Sequence, residues 1–284
     1  MCSRSNLEAT VSIVHRSPVS PKPLTGSPLT AVSDAARETL ADVSANLGPY
    51  AMIGLVFLLA GMVVTVIPTL VTMGVTAVGA ALALAASGVA IVGAAQALDS
   101  GAETLGAAVV VLTFASYAFM FVVVVVFSVL MVLGTTALSP LVAATMRAMA
   151  AHQRGERALS ARAVLADVRL DAPVILTVFV LQSVSMAAAL LGGVGVIVPA
   201  VLFAFAVPLV VLHGDRPMAA FRRSAAHARA HLGWHVGYAL CVMGVSLVAN
   251  YVPVVGPMFA LSLYVRMARH VFGDAPPVAL RRAA

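Results

Sequence analysis

The 284-residue chain is 61% hydrophobic and 10% charged, with a mean hydropathy of +1.03 and a formal net charge of +6. A soluble domain carries about 25% charged residues, so a water-facing globule is excluded and most of the surface must meet lipid. The positive balance rests on arginine, which gathers on the cytoplasmic side of membrane helices, and does not point to nucleic acid.

Residues 1–33 hold "SPVSPKPLTGSP" and no apolar run. They predict a disordered cytoplasmic tail without a secretory signal. Residues 34–274 then form the membrane domain, and 275–284 a short cytoplasmic tail. The domain opens on "DAARETLADVSANLGPY", an amphipathic cytoplasmic helix whose "ANLG" ending matches a later linker. Charge-free runs follow at 43–98, 104–146, 172–212 and 232–265. Since a bilayer takes about 20 helical residues, each run accommodates about two helices. A hairpin of 52–73 with 75–98 gives eight membrane helices. A flat or re-entrant Ala-rich 75–98 gives six. Seven would put the N-terminus outside, and the even counts are favoured.

Gly and Pro clusters at 134–140, 192–199 and 253–257 predict outside turns of tandem hairpins. Gly155-Glu156, Gly214-Asp215 and Gly273-Asp274 recur at intervals of 59 residues. Pro140 and Pro199 precede their glycines by 15 residues, and Pro257 precedes Gly273 by 16. This marks a repeat over 97–273: basic linker, outgoing helix, turn, and a returning helix that ends on a C′ glycine. The linker arginines place all three glycine corners, and both chain ends, in the cytoplasm.

The spans carry no Asp, Glu, Lys or Arg in their cores. That disfavours an ion-coupled transporter, a pump or a voltage sensor. Gln182 and Asn250 are the deep polar groups. They read as helix caps or interhelical bonds, or alternatively as part of a solute path. No zinc-protease, dinucleotide or phosphate-loop motif is present, and Ser87 has no partner histidine at its depth. Cys2 and Cys241 imply neither a disulfide framework nor a cysteine-based metal centre.

The linker "RPMAAFRRSAAHARAHLGWH" carries Met218, Phe221, Ala225, Ala228 and Leu232 at helical spacing. Arg222, Arg223 and Arg229 suit anionic headgroups, and Trp234 suits the interface. His227, His231 and His235 stand at four-residue steps, on one face of a straight helix. Zinc sites use such steps, but no carboxylate or cysteine completes a set in this helix. The reading preferred over metal, and over a protonation-sensitive lipid contact, is an interfacial helix.

"RGERALSARAVL", "HGDRPMAAFRRSAAHARAHLGWHVGYAL" and "YVPVVGP" together resemble bacterial membrane proteins related to the membrane domain of glycerophosphoryl diester phosphodiesterases. The likeness covers roughly 135–274. It implies fold and inner-membrane location but no hydrolase activity, because the soluble catalytic barrel of such fusions has no counterpart here. The expectation is a non-enzymatic scaffold or lipid-interacting component. It needs no cofactor, and its partners are membrane lipids and an unidentified protein; small-residue faces also allow oligomerisation. The alternative is a transporter or channel for a small solute.

Overall fold

The structure is a computed structural model that describes residues 27–97, 103–190, 193–249 and 251–274. The regular structure of these residues is all helix, with no strand among them. Residues 1–26 and 275–284, most of the two predicted tails, lie outside the described residues. The first helix, α1 (Pro28–Ala45), starts inside the predicted tail. The cause is local: Pro28 presets the first turn, and Ser27 Oγ accepts the Thr30 N–H at 3.2 Å.

α2 (Leu47–Ala97) is one unbroken helix of 51 residues. The hairpin considered between 52–73 and 75–98 is therefore not formed. At about 1.5 Å per residue, α2 is about 75 Å long. α3 (Glu103–Ala137) packs antiparallel to it. A side chain at Gly79 would collide with Phe119, and one at Gly134 with Val64, so the register holds constant over 15 residues of each helix.

The predicted turn at 134–140 is not a turn. α4 (Ser139–Gln153) follows α3 after a single residue. The Leu138 N–H bonds the Gly134 carbonyl and the Val142 N–H bonds the Leu138 carbonyl, so the i→i−4 ladder runs through the junction. Pro140 lies in the first turn of α4, where a helix tolerates it without reversing. At the far end of α4, Gln153 shares Ser262 with Tyr50 of α2. α4 therefore runs on toward the start of α2 instead of back along α3.

The short α5 (Ala161–Ala166) leads to α6 (Ala172–Leu190). After residues 193–196, α7 (Ile197–Leu202) and α8 (Ala206–His213) run back against α6. α9 (Pro217–Ala230) and α10 (Leu232–Ala249) meet at a 107° bend. α11 (Gly256–Phe272) then packs on α10, α1 and α4. Leu47–Gly79, Phe114–Ala137 and Ala172–Ala189 are long and apolar enough to cross a membrane, and the bent α9–α10 pair makes a fourth if counted as one span.

The core lies where α4, α8 and α11 meet. Met146 and Met149, Leu209 and Val210, and Met267 and Val271 are buried there. Each of these helices ends at one of the glycines predicted from spacing: Gly155, Gly214 and Gly273 have φ of 70°, 70° and 77°. That is left-handed backbone, which glycine adopts without a Cβ clash. The acid that follows each glycine pairs with an arginine: Glu156 with Arg154, Asp215 with Arg223, and Asp274 with Arg269.

Candidate functional site

The buried face of α9 comprises Ala220, Phe221, Ser224, Ala225, His227 and Ala228. Met218 and Leu232, assigned to that face from the sequence, are instead exposed. The face continues into α10 through the bend at His231. On a straight helix His227 and His235 would stand about 12 Å apart along the axis. The bend folds them together, with His227 Nδ1 and His235 Nε2 2.8 Å apart, one ring donating to the other. The His231 ring lies 4.9 Å from that of His227, centroid to centroid. The three rings thus do not share one helix face. Among the described residues no three His, Cys, Asp or Glu side chains are grouped to hold a metal ion. The candidate trio is a hydrogen-bonded pair with a third ring beside it. Burial pushes His227 down to about 4, helped by the neighbouring charges of His235, His231 and Arg223, and it is neutral at pH 7.

This pair borders a broken helix. Between α7 and α8 the chain leaves helical geometry at 203–205, which frees backbone groups in an apolar interior. Side chains from other helices satisfy them. Ser224 Oγ donates to the Leu202 carbonyl at 2.9 Å and accepts the Phe205 N–H at 3.3 Å. Tyr264 Oη donates to the Ala204 carbonyl. Phe205, fully buried, stacks on Tyr238 at 5.1 Å and meets the rings of His235 and Phe272 edge-on. The result is a closed aromatic and imidazole cluster joining α8, α9, α10 and α11.

The predicted headgroup residues separate. Arg222 and Arg229 are exposed on α9. Arg223 turns inward instead: it pairs with Asp215 at 3.2 Å and lies 5.1 Å over the Phe272 ring. Trp234 is half-buried and stacks on Tyr238. Gln182 is half-buried on α6, Asn250 lies outside the described residues, and so does the Ser87 side chain.

A second polar cluster was not anticipated from the sequence. It gathers where α1 meets α2, α4 and α11. Asp42 accepts from Tyr50 Oη at 2.8 Å and bonds His152 Nε2 at 2.9 Å. Gln153 Nε2 donates to the Ser262 carbonyl and hydroxyl, both at 3.1 Å, and Arg266 pairs with Glu38 at 2.6 Å. These bonds clamp α1 onto the core. Beside them, α1, α10 and α11 wall an open apolar groove of about 650 Å³, lined by residues such as Leu29, Leu40, Val248 and Phe259. The missed residues carried no sequence signal beyond Asp42 and His152 being polar.

No protein-family model matches the chain, and neither a curated protein nor a solved structure matches it.

Proposed function

We propose that this is a multi-pass inner-membrane protein, with both ends cytoplasmic, that works as a lipid-interacting scaffold without an embedded catalytic site. The observation that carries the reading is the α9–α10 corner. α10 is apolar and α9 is basic, and they meet at 107°. With α10 along the membrane normal, α9 lies close to the membrane plane. Its one face is buried in the protein while Arg222 and Arg229 stay exposed, as an interfacial helix at the headgroup level requires. The three Gly-acid corners, each with a paired arginine, support the tandem-repeat reading, in which all three lie on this cytoplasmic side. The likeness to the membrane domain of glycerophosphoryl diester phosphodiesterases belongs to the same proposal.

The test is native mass spectrometry of the full chain extracted from nanodiscs of mixed phosphatidylglycerol and phosphatidylcholine. The R222Q/R229Q variant is expected to lose its preference for the anionic lipid at least threefold. Unchanged retention would overturn the headgroup reading.

A second reading, a carrier for a small solute, is favoured by the broken α7–α8 helix, because transporters build their sites at such discontinuities. Solute flux in proteoliposomes that is abolished in a Gln182/Asn250 double variant would replace the scaffold reading.

A further inference from the structure

The groove walled by α1, α10 and α11 is open along one side, and no charged side chain among the described residues lines it. Ser33 carries its one hydroxyl, which already donates to the Thr30 carbonyl at 2.9 Å. The hollow exists because small residues stand on its walls, Ala36 on α1 and Gly244 on α10 among them. A Cβ at Gly244 would meet nothing within 4 Å, so the wall is recessed there.

Size and chemistry together select the occupant. The α1 wall runs from Leu29 to Val43, about 21 Å of helix. A volume of about 650 Å³ over that length leaves a mean cross-section of about 30 Å². A helix with its side chains is about 10–12 Å across and needs roughly 80–110 Å², so no helix of a second copy or of another protein fits inside. An extended peptide is thinner, but its backbone N–H and C=O groups would find no partner along these walls. A hydrocarbon chain has no polar group to satisfy and gains from every CH2 that it buries. One leaflet of a ~30 Å hydrocarbon core is about 15 Å deep, so the groove is long enough for the acyl chain of a membrane lipid.

The rim names the headgroup. Asp34 and Arg37 follow the groove residues Ser33 and Ala36 on α1, and both are exposed. Three residues apart, they lie on one side of the helix, yet neither pairs with the other or with any described residue. The remaining acids of α1 are engaged: Glu38 with Arg266, and Asp42 with His152 and Tyr50. Among the described residues the α1 rim thus offers one unpaired carboxylate and one unpaired guanidinium, the complement of an ammonium and a phosphate. We propose that this groove binds an acyl chain of a phosphatidylethanolamine-type lipid, with the ammonium at Asp34 and the phosphate at Arg37. The proposal rests on the membrane reading of the chain but not on Arg222 and Arg229. A headgroup without an ammonium, such as phosphatidylglycerol, leaves Asp34 unpaired beside a second negative charge and binds less well.

The experiment uses the full chain carrying Cys2→Ser, which leaves Cys241, a half-buried groove residue, as the sole cysteine. The protein is delipidated in detergent and then given dioleoyl phosphatidylethanolamine or dioleoyl phosphatidylglycerol. Phosphatidylethanolamine is expected to slow maleimide modification of Cys241 at least fivefold, and phosphatidylglycerol less than twofold. D34N/R37Q should erase that difference between the lipids, whereas R222Q/R229Q should keep it, so this proposal and the α9 headgroup reading fail separately. Gly244→Leu fills the recess, and native mass spectrometry should show at least fivefold less retained phosphatidylethanolamine. Leu is a better helix former than Gly, and unchanged Trp234 fluorescence checks the fold of that variant. Equal modification rates with and without phosphatidylethanolamine overturn the proposal, as does equal protection by the two lipids. Unchanged retention in Gly244→Leu overturns it too. Shielding of Cys241 that persists after delipidation means that another segment or copy fills the groove, and overturns it as well.

Discussion

Ser224 holds two backbone groups that the α7–α8 break would otherwise orphan, and the S224A substitution isolates that role. The side chain is fully buried, so no water replaces the lost hydroxyl. The Leu202 carbonyl loses a 2.9 Å bond and the Phe205 N–H a 3.3 Å bond. Leaving a buried polar group unpaired costs about 1–3 kcal/mol, and a side-chain bond within a membrane protein contributes about 0.6 kcal/mol on average. Two groups lost together therefore give about 2–4 kcal/mol. For a chain of this size that lowers Tm by about 3–7 °C. The chain has one tryptophan, and Trp234 stacks on Tyr238 at 5.5 Å beside the break. Its fluorescence during thermal unfolding in detergent reports this region directly. S33A is the control, because Ser33 is exposed and bonds only the Thr30 carbonyl of its own helix. If S224A unfolds with S33A, within about 0.5 kcal/mol (the range of ordinary surface substitutions), the polar staple does not hold the break and the reasoning fails.

His227 gives a pH signature. Its folded pKa, about 4, lies below the ordinary histidine value of 6.5, so between those values the unfolded chain binds a proton that the folded one refuses. Its contribution to stability is intact above pH 6.5 and falls as the pH drops toward 4, by up to about 1.4 kcal/mol per pH unit. H227Q should flatten the acid limb of a denaturation-versus-pH curve by about one proton, and an unchanged slope would place the acid sensitivity elsewhere. Met267, fully buried in α11, should cost about 2–5 kcal/mol when truncated to Ala. Truncation of Leu240, 57% exposed on α10, should cost far less in the same detergent unfolding assay, and equal losses would contradict the assigned core.

The sequence disclosed what depends on local chemistry. Helices follow from charge-free runs, and the glycine corners follow from a left-handed C′ position that few other residues fill. Pro140 shows where local chemistry stops short. A proline removes one N–H and disfavours helix before it, and both a reversal and a continuing rod accommodate that. What decides is where the chain packs beyond the junction, and α4 ends beside Tyr50 at the start of α2, both bonded to Ser262, instead of returning along α3. The histidine steps failed for a related reason. Four-residue spacing implies a shared face only while the helix runs on, and it ends at His231. Ser224 and Tyr264 were beyond reach altogether. They serve backbone groups 22 and 60 residues away, and such a contact leaves no periodicity in the sequence.

The Gly-acid corners join the two levels. A left-handed glycine turns the chain out of each core helix, and an arginine takes up the acid at the next position. At Asp215 the arginine comes from α9 and also covers the Phe272 ring of α11. At Asp274 it comes from α11 itself, and that same Arg269 donates to Gln153 at the end of α4. Glu156 keeps its pair local, with Arg154. Two of the three corners therefore bind neighbouring helices as well as ending their own. α4, α8 and α11 each bury their packing faces against the other two and end on a positive-φ glycine, followed at Gly155 and Gly214 by a cap bond from the acid's N–H and at Gly273 by extended backbone. The arginines left over, Arg222 and Arg229 among them, face outward because the inner positions are already paired. A basic outer layer thus follows from an internally neutralised one, and it is this layer that the lipid-binding reading puts against the headgroups.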